Sequence, residues 1–407
     1  MNALKKAQSI TFTNLHIPKR YVHEIDILRA STAISVVGVH AMGYTVFLNA
    51  TFYGQAIESF LFHLLQFNRE IFMLISAFVL VYIYYNKHLS IIEFWTKRML
   101  VIFLPYVIWS FVYVRVNQRD LNLQKYITTS LYDILIGNAS FQLYYVVLIL
   151  QFYLFFPFLL TLFKKVVSHP WIVLSISFIL QLIIFYLEFT FLEVKQPSHP
   201  SLLLNLLIQL HGRIFLSFQF YFVLGAYAAI YFGKVKSFLL TYGKIFIPLY
   251  LVGFAIFTIG FYKEVFVDNI SLTTATSVLQ PLMLLYTISV ILLLAYGILS
   301  IGKKYGEEGR SKPYKLFHIL TELAFGIYLL QGFFLNLGRR ILLLFQWPHT
   351  MLPLATILLF LFTLLGSIAL SFFFLCTPVL HYLIGKTEYY KLNYRDLFYK
   401  KESIHNF

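Results

Sequence analysis

Two polar side chains in the first strongly apolar stretch, IDILRASTAISVVGVHAMGYTVFL, are spaced for joint chemistry. Arg29 and His40 lie eleven residues apart. At 100° per residue that separation is 1100°, about 20° past three turns, so one helix face carries both. The rise between them is about 16 Å at 1.5 Å per residue. An imidazole in apolar surroundings is expected to be neutral at pH 7 and able to accept a proton. A cation at one end of the face and a base three turns away suit an elongated ligand with an anionic head and a reactive end. Acyl-coenzyme A has that shape, its phosphates and thioester being separated by a pantetheine arm of comparable length. The plainer alternatives are that Arg29 pairs with Asp26, three residues back on the same face, and that His40 is a packed polar group.

Further polar residues interrupt later apolar runs. In NREIFMLISAFVLVYIY, Arg69 and Glu70 fall near the depth of His40. Glu70 is a candidate to orient or polarise the imidazole, as a carboxylate does in a catalytic triad; alternatively Arg69 and Glu70 pair with each other. FQLYYVVLILQFYLFFP brings Gln142, Tyr144 and Tyr145 to the same end, with Gln151 deeper. Tyrosines there are candidate substrate contacts or an interfacial aromatic belt. LTELAFGIYLLQGFF carries Glu322 near one end and Tyr328 and Gln331 deeper, as substrate contacts or as interhelical hydrogen bonders. The other histidines show no HExxH spacing, and neither a G-x-S-x-G elbow nor a phosphate-cradling glycine loop occurs. No metal site, serine hydrolase or nucleotidase is expected. The single cysteine, Cys376, sits in an apolar run and supports neither a disulfide framework nor a thiolate metal site.

The elements that must position these groups are membrane helices. Of 407 residues, 59% are hydrophobic and only 12% charged, with a mean hydropathy of +0.76; a soluble domain carries about 25% charged residues. Ten stretches are long and apolar enough to span a bilayer or nearly so: 25–48, 67–85, 99–114, 143–162, 171–191, 214–232, 245–262, 278–301, 319–337 and 351–378. The fold class expected is therefore an all-α polytopic membrane protein of about ten transmembrane helices, with N- and C-termini cytoplasmic. That orientation puts 22 of the 32 Lys and Arg in inner segments and 8 in outer loops, leaving Arg29 and Arg69 within spans, as the positive-inside rule requires. The net charge of +15 thus reflects orientation, and no nucleic-acid partner is expected. The first run follows about two dozen polar residues without a small-residue cleavage site and reads as a retained span. The chain divides into a tail (1–24), a transmembrane domain (25–384) and a second tail (385–407), with no soluble appendage. Segment 122–137 has apolar residues at helical spacing, either an interfacial helix or an ordinary loop helix.

In this order along nearly the whole chain, the residues resemble the acyltransferase-3 family of integral-membrane O-acyltransferases, which includes intercellular-adhesion and surface-polysaccharide acylation proteins. Glu24-Ile-Asp26-Ile-Leu-Arg29, followed by ten residues and His40, is similar to the family's first-helix pattern. Glu70-Ile-Phe-Met-Leu-Ile-Ser76-Ala77-Phe78 resembles its acid-x-Phe-Phe-x-x-Ser-Gly-Phe stretch, and Phe94-Trp95-Thr-Lys97-Arg98 leading to Pro105-Tyr106 resembles its basic inner loop and proline. Leu143-Tyr144-Tyr145 with Tyr153 and Pro157, and Phe325-Gly326-Ile327-Tyr328-Leu329-Leu330, are similar to two further helices. Gln142 and Gln331 stand where many members have His, Ala77 replaces Gly, and Val101 breaks a basic pair. These departures leave His40 as the only intramembrane base the sequence identifies.

The resemblance implies a cell-membrane enzyme that moves an acyl group, acetyl or similar, from cytoplasmic acyl-CoA to a hydroxyl of an extracytoplasmic polysaccharide or glycolipid. Acyl-CoA is then a donor substrate, and no permanently bound cofactor is expected. His40 and Glu70 are the implied catalytic residues; Arg29, Lys97 and Arg98 would hold the coenzyme; Tyr144, Tyr145, Tyr328 and Gln331 would contact substrate. Glycan synthase or export components are candidate partners. The rival from another class is a polysaccharide or lipid-linked sugar exporter, whose intramembrane polar groups would line a translocation path. It is opposed by the lack of matched interrupted helices in the two halves.

Overall fold

A computed structural model describes residues 21–48, 51–197, 199–305, 312–345, 347–348 and 351–390. Most of both expected tails, 1–20 and 391–407, lies outside the described residues. Those described form helices and no strand. In chain order they are α1 (His23–Thr45), α2 (Phe52–Leu64), α3 (Asn68–Tyr84), α4 (Ile91–Arg98), α5 (Leu104–Asn117), α6 (Leu123–Ile136), α7 (Tyr144–Val166) and α8 (Pro170–Leu187). They continue as α9 (Leu202–Leu210), α10 (Gln219–Ile230), α11 (Phe232–Tyr242), α12 (Phe246–Phe266), α13 (Leu272–Ala275), α14 (Pro281–Tyr305), α15 (Lys312–Leu342) and α16 (Leu352–Cys376).

Nine helical units among the described residues are long and apolar enough to cross a membrane, and the pair α9 and α10, bent by 45°, makes a tenth if counted as one span. Each of the ten expected stretches corresponds to one of these units. The third is longer than hydropathy suggests. A π-helical turn, Met99–Phe103, joins α4 to α5 so that Ile91–Asn117 is one unit, and Pro105, which lacks an N–H to give to the preceding turn, directly follows that local change of winding. At the α9–α10 break the freed backbone groups are met by glutamines of neighbouring spans, as a membrane interior demands. The Gln151 amide donates to Arg213 O (2.9 Å) and its oxygen accepts from Phe215 N (3.1 Å), while Gln181 accepts from Phe220 N (3.1 Å).

Packing follows small residues rather than apolarity, because lipid is as apolar as leucine. The α3–α10 pair closes on Ala77, Gly225, Ala226 and Ala229; a Cβ on Gly225 would lie 2.2 Å from Leu74 O. α15 packs most extensively on α16 and α1, which holds Arg29 and His40 inside the bundle. Leu123, Ile127, Leu131 and Leu135 form one exposed apolar face of α6 at four-residue spacing, the pattern of an interfacial helix. Asn122 caps its start by accepting from Lys125 N (2.9 Å). Gly137, at φ +74°, ends it, with space for a Cβ blocked 2.6 Å from Tyr144 Cα.

Candidate functional site

The Arg29 end of α1 is surrounded by acids that already have partners. Asp26 accepts from the Tyr21 hydroxyl at 2.8 and 3.0 Å and meets His318 Nδ1 at 3.0 Å, while Thr321 Oγ1 donates to its backbone oxygen at 2.8 Å. Burial, followed by the Asp26 carboxylate, pushes the Tyr21 phenol upward and keeps it the donor. Lys386 pairs with Glu322 (2.6 Å) and Lys236 with Glu24 (3.2 Å). Asp26 is therefore not the partner of Arg29, whose half-buried guanidinium makes no ion pair or hydrogen bond among the described residues.

Lys97 and Arg98 approach this end through a backbone contact. Gly385, at φ +71°, sits where a Cβ would be 2.2 Å from Val101 O, and the adjacent Lys386 reaches Glu322. The Arg98 guanidinium lies 5.4 Å from the Phe94 ring centroid and 5.2 Å from that of Tyr153, whereas Lys97 is exposed. No hydrogen bond or ion pair among the described residues joins either to Arg29.

At the other end of the same face, His40 meets the edge of Phe141 at 4.5 Å, and Tyr44 packs on the same ring at 5.7 Å. Its ring nitrogens make no hydrogen bond among the described residues, which leaves both open to a ligand. Glu70 does not bond to it. One carboxylate oxygen of the fully buried Glu70 receives Arg69 at 3.0 Å and the other has no partner. Arg69 in turn donates to the Tyr144 hydroxyl (3.3 Å) and lies 4.0 Å from the Phe218 centroid. The carboxylate thus acts on Tyr144 through Arg69. Asn68 ties the start of α3 to α1 by donating to Ser35 Oγ (2.9 Å).

The remaining candidates gather where α7 meets α15. Tyr145 and Tyr328 lie edge to face at 6.1 Å, and Tyr328 donates to the Gln142 backbone oxygen. Gln331 is fully buried with neither amide atom partnered, and Gly332 makes room for Gln142, whose Nε2 a Cβ there would approach to 2.6 Å. Sequence reasoning missed Tyr113. Its hydroxyl donates to Leu329 O (2.6 Å) and accepts from Phe333 N (3.1 Å), the two ends of what would be an ordinary helical hydrogen bond of α15. It also missed Phe141, and a polar cavity of 760 Å³ lined by Arg69, Tyr144, Glu193, His211 and Arg213 among others. His63, outside the ten stretches expected to span, is fully buried inside the unit Phe52–Tyr84 and stacks on Phe257 at 4.6 Å. His40 is therefore not the only histidine within a span. No cluster of three or more metal-binding side chains occurs among the described residues.

Comparison with known proteins bears on this arrangement directly. Residues 22–375 match the family model described as an acyltransferase domain, of the acyltransferase-3 type. No curated protein and no solved structure matches the chain. Nine apolar helical units among the described residues, ten if the bent pair α9 and α10 is one span, polar groups buried between them and a family match over nearly the whole length lead to one conclusion: the chain belongs to the acyltransferase-3 family and is a multi-pass membrane acyltransferase.

Proposed function

We propose that this protein is a cell-membrane O-acyltransferase that takes acyl groups from cytoplasmic acyl-CoA and transfers them to a hydroxyl of an extracytoplasmic polysaccharide or glycolipid. The observation that carries this reading is the α1 face: Arg29 keeps an unpaired guanidinium amid paired acids, and His40, about 16 Å along the helix, keeps its nitrogens unbonded. Arg29 supplies charge-assisted hydrogen bonds to coenzyme A phosphates, with Lys97 and Arg98 contributing cations nearby. The pantetheine arm then follows α1 toward His40.

In the transfer, His40 takes the proton of the acceptor hydroxyl while that oxygen attacks the thioester carbonyl. The C–S bond breaks, an ester forms, and the proton passes from the imidazole to the departing thiolate, giving free coenzyme A. Glu70 fixes Arg69, and Arg69 orients the Tyr144 hydroxyl; Tyr144, Tyr145, Tyr328 and Gln331 form the surroundings of the acceptor hydroxyl. The test uses purified protein in nanodiscs supplied with labelled acyl-CoA and an oligosaccharide, together with mass spectrometry of surface glycans from cells with and without the gene. Acyl transfer that depends on His40 supports the reading. Glycans of unchanged mass in cells lacking the protein would refute it.

A further inference from the structure

We infer that the cavity beyond Tyr144 is the acceptor subsite and that it binds an uncharged, hydroxyl-rich saccharide segment; this rests on the acyltransferase reading above. The 760 Å³ cavity is within the roughly 300–1,000 Å³ of small-molecule sites. Six separate parts of the chain build it: the α2–α3 junction with Gln66 and Arg69, the end of α6 with Asn138, Tyr144 at the start of α7, the segment around Glu193 that follows α8, the α9–α10 break, and the connection from α12 to α14.

The ionisable groups that line this cavity are already engaged. Arg69 pairs with Glu70 (3.0 Å) and His211 Nε2 with Glu193 (3.2 Å), while Arg213 donates to two neutral oxygens, Ile136 O (2.8 Å) and Asn138 Oδ1 (3.5 Å). A phosphate-rich head such as coenzyme A would meet the Glu193 carboxylate here. Carboxamides and hydroxyls make up most of the uncharged polar lining, including Asn138, Gln196, Gln209, Tyr132 and Thr273, and Ile136, Ile208, Val278 and Leu279 add apolar surface between them. A carboxamide offers two donors and an acceptor, and a hydroxyl offers one donor and two lone pairs. The ligand that matches such a wall carries a donor and an acceptor on nearly every carbon, which is the chemistry of a sugar.

A second observation points the same way. Glu193 accepts from Ser277 Oγ (2.9 Å) and His211 through one oxygen, and its other oxygen is buried without a partner. A bound hydroxyl supplies the missing donor without adding charge. The chain also links the cavity to the base: Phe141, against His40 at 4.5 Å, stands three residues before Tyr144, which lines the cavity. At the rim, Tyr132 of α6 approaches Gln209 of α9 (3.5 Å). Both helices expose leucines, Leu131 and Leu135 on one and Leu202 and Leu203 on the other, so a saccharide can enter free or carried on a lipid.

The test begins with acyl-CoA hydrolysis by the full chain in nanodiscs without acceptor, which reports the donor chemistry separately. Thr273→Trp and Gln209→Trp, both at exposed positions on the rim, then place an indole in the cavity. The probes are one neutral tetrasaccharide, free and attached to a lipid anchor. The saccharide concentration for half-maximal transfer should rise by about tenfold or more, while that for acyl-CoA stays within about twofold. A rise confined to the free or to the lipid-linked probe identifies the source and supports the subsite; no rise with either overturns it. If the protein turns over no acyl-CoA, the proposed function fails, and binding of the radiolabelled tetrasaccharide to the unmodified chain and to Thr273→Trp decides the subsite by itself. Equal binding to the two chains would overturn it.

Discussion

The two ends of α1 solve opposite electrostatic problems. Around Arg29 the structure collects charge, and every nearby acid is matched: Asp26 by Tyr21 and His318, Glu322 by Lys386, Glu24 by Lys236. Arg29 is the remainder, a cation left over once its neighbours have cancelled. At the His40 end no ion pair touches the imidazole: Arg69, paired with Glu70, is turned toward Tyr144, and Arg339 lies 5.6 Å from the Tyr44 ring centroid. On the function proposed above, the first end takes an anion and the second a neutral polar group beside a base. A single helix joins them, so a ligand bound at one end would be measured off against the other.

Replacing the base should have the largest effect on that contrast. His40→Ala is expected to lower acyl transfer by about 10²–10⁴-fold, the usual range for a general base, with the amount of folded protein in the membrane unchanged. Breaking the buried pair comes next. Glu70→Ala leaves the Arg69 guanidinium uncompensated, a loss of about 3–5 kcal/mol, read as a lower unfolding temperature in detergent; an unchanged temperature would mean that Arg69 finds another partner.

Arg29→Ala should raise the acyl-CoA concentration for half-maximal rate by about 10- to 100-fold, since charged hydrogen bonds contribute about 1.5–3 kcal/mol. Arg29→Lys should fall between, because lysine keeps the charge without the guanidinium fork. Normal acyl-CoA binding by Arg29→Lys would argue against bidentate phosphate contact. The smallest effect belongs to Tyr144→Phe, about fivefold in transfer for the hydroxyl's one neutral hydrogen bond to the proposed acceptor, accompanied by no change in acyl-CoA affinity. A defect in donor affinity there would blur the division between the two ends.

Much of this was legible without coordinates, and the reasons differ by element. The spans follow from long apolar runs whose backbone must be satisfied internally, and the Arg29–His40 face follows from helical arithmetic alone. The expected helix at 122–137 also rests on local periodicity. The π-turn Met99–Phe103 was not legible, since its five apolar residues read the same in either helix type. Two partners were open to Glu70, the imidazole of His40 and the adjacent Arg69, and the structure gives it Arg69; depth in the bilayer fixes height but not the direction in which a side chain points. Tyr113 and the cavity depend on contacts between distant segments, such as Glu193 with Ser277 and Arg213 with Ile136, and no spacing in the sequence encodes them. Gln151 read as a lone intramembrane amide. It serves a backbone break that only the fold reveals.

The central claim is that one helix face binds the donor at Arg29 and performs proton transfer at His40. Acyl-CoA affinity and acyl transfer measured together on purified His40→Ala in nanodiscs test it most directly. The account predicts near-normal acyl-CoA affinity with transfer abolished. Full transfer by His40→Ala, or loss of donor affinity equal to that of Arg29→Ala, would contradict it.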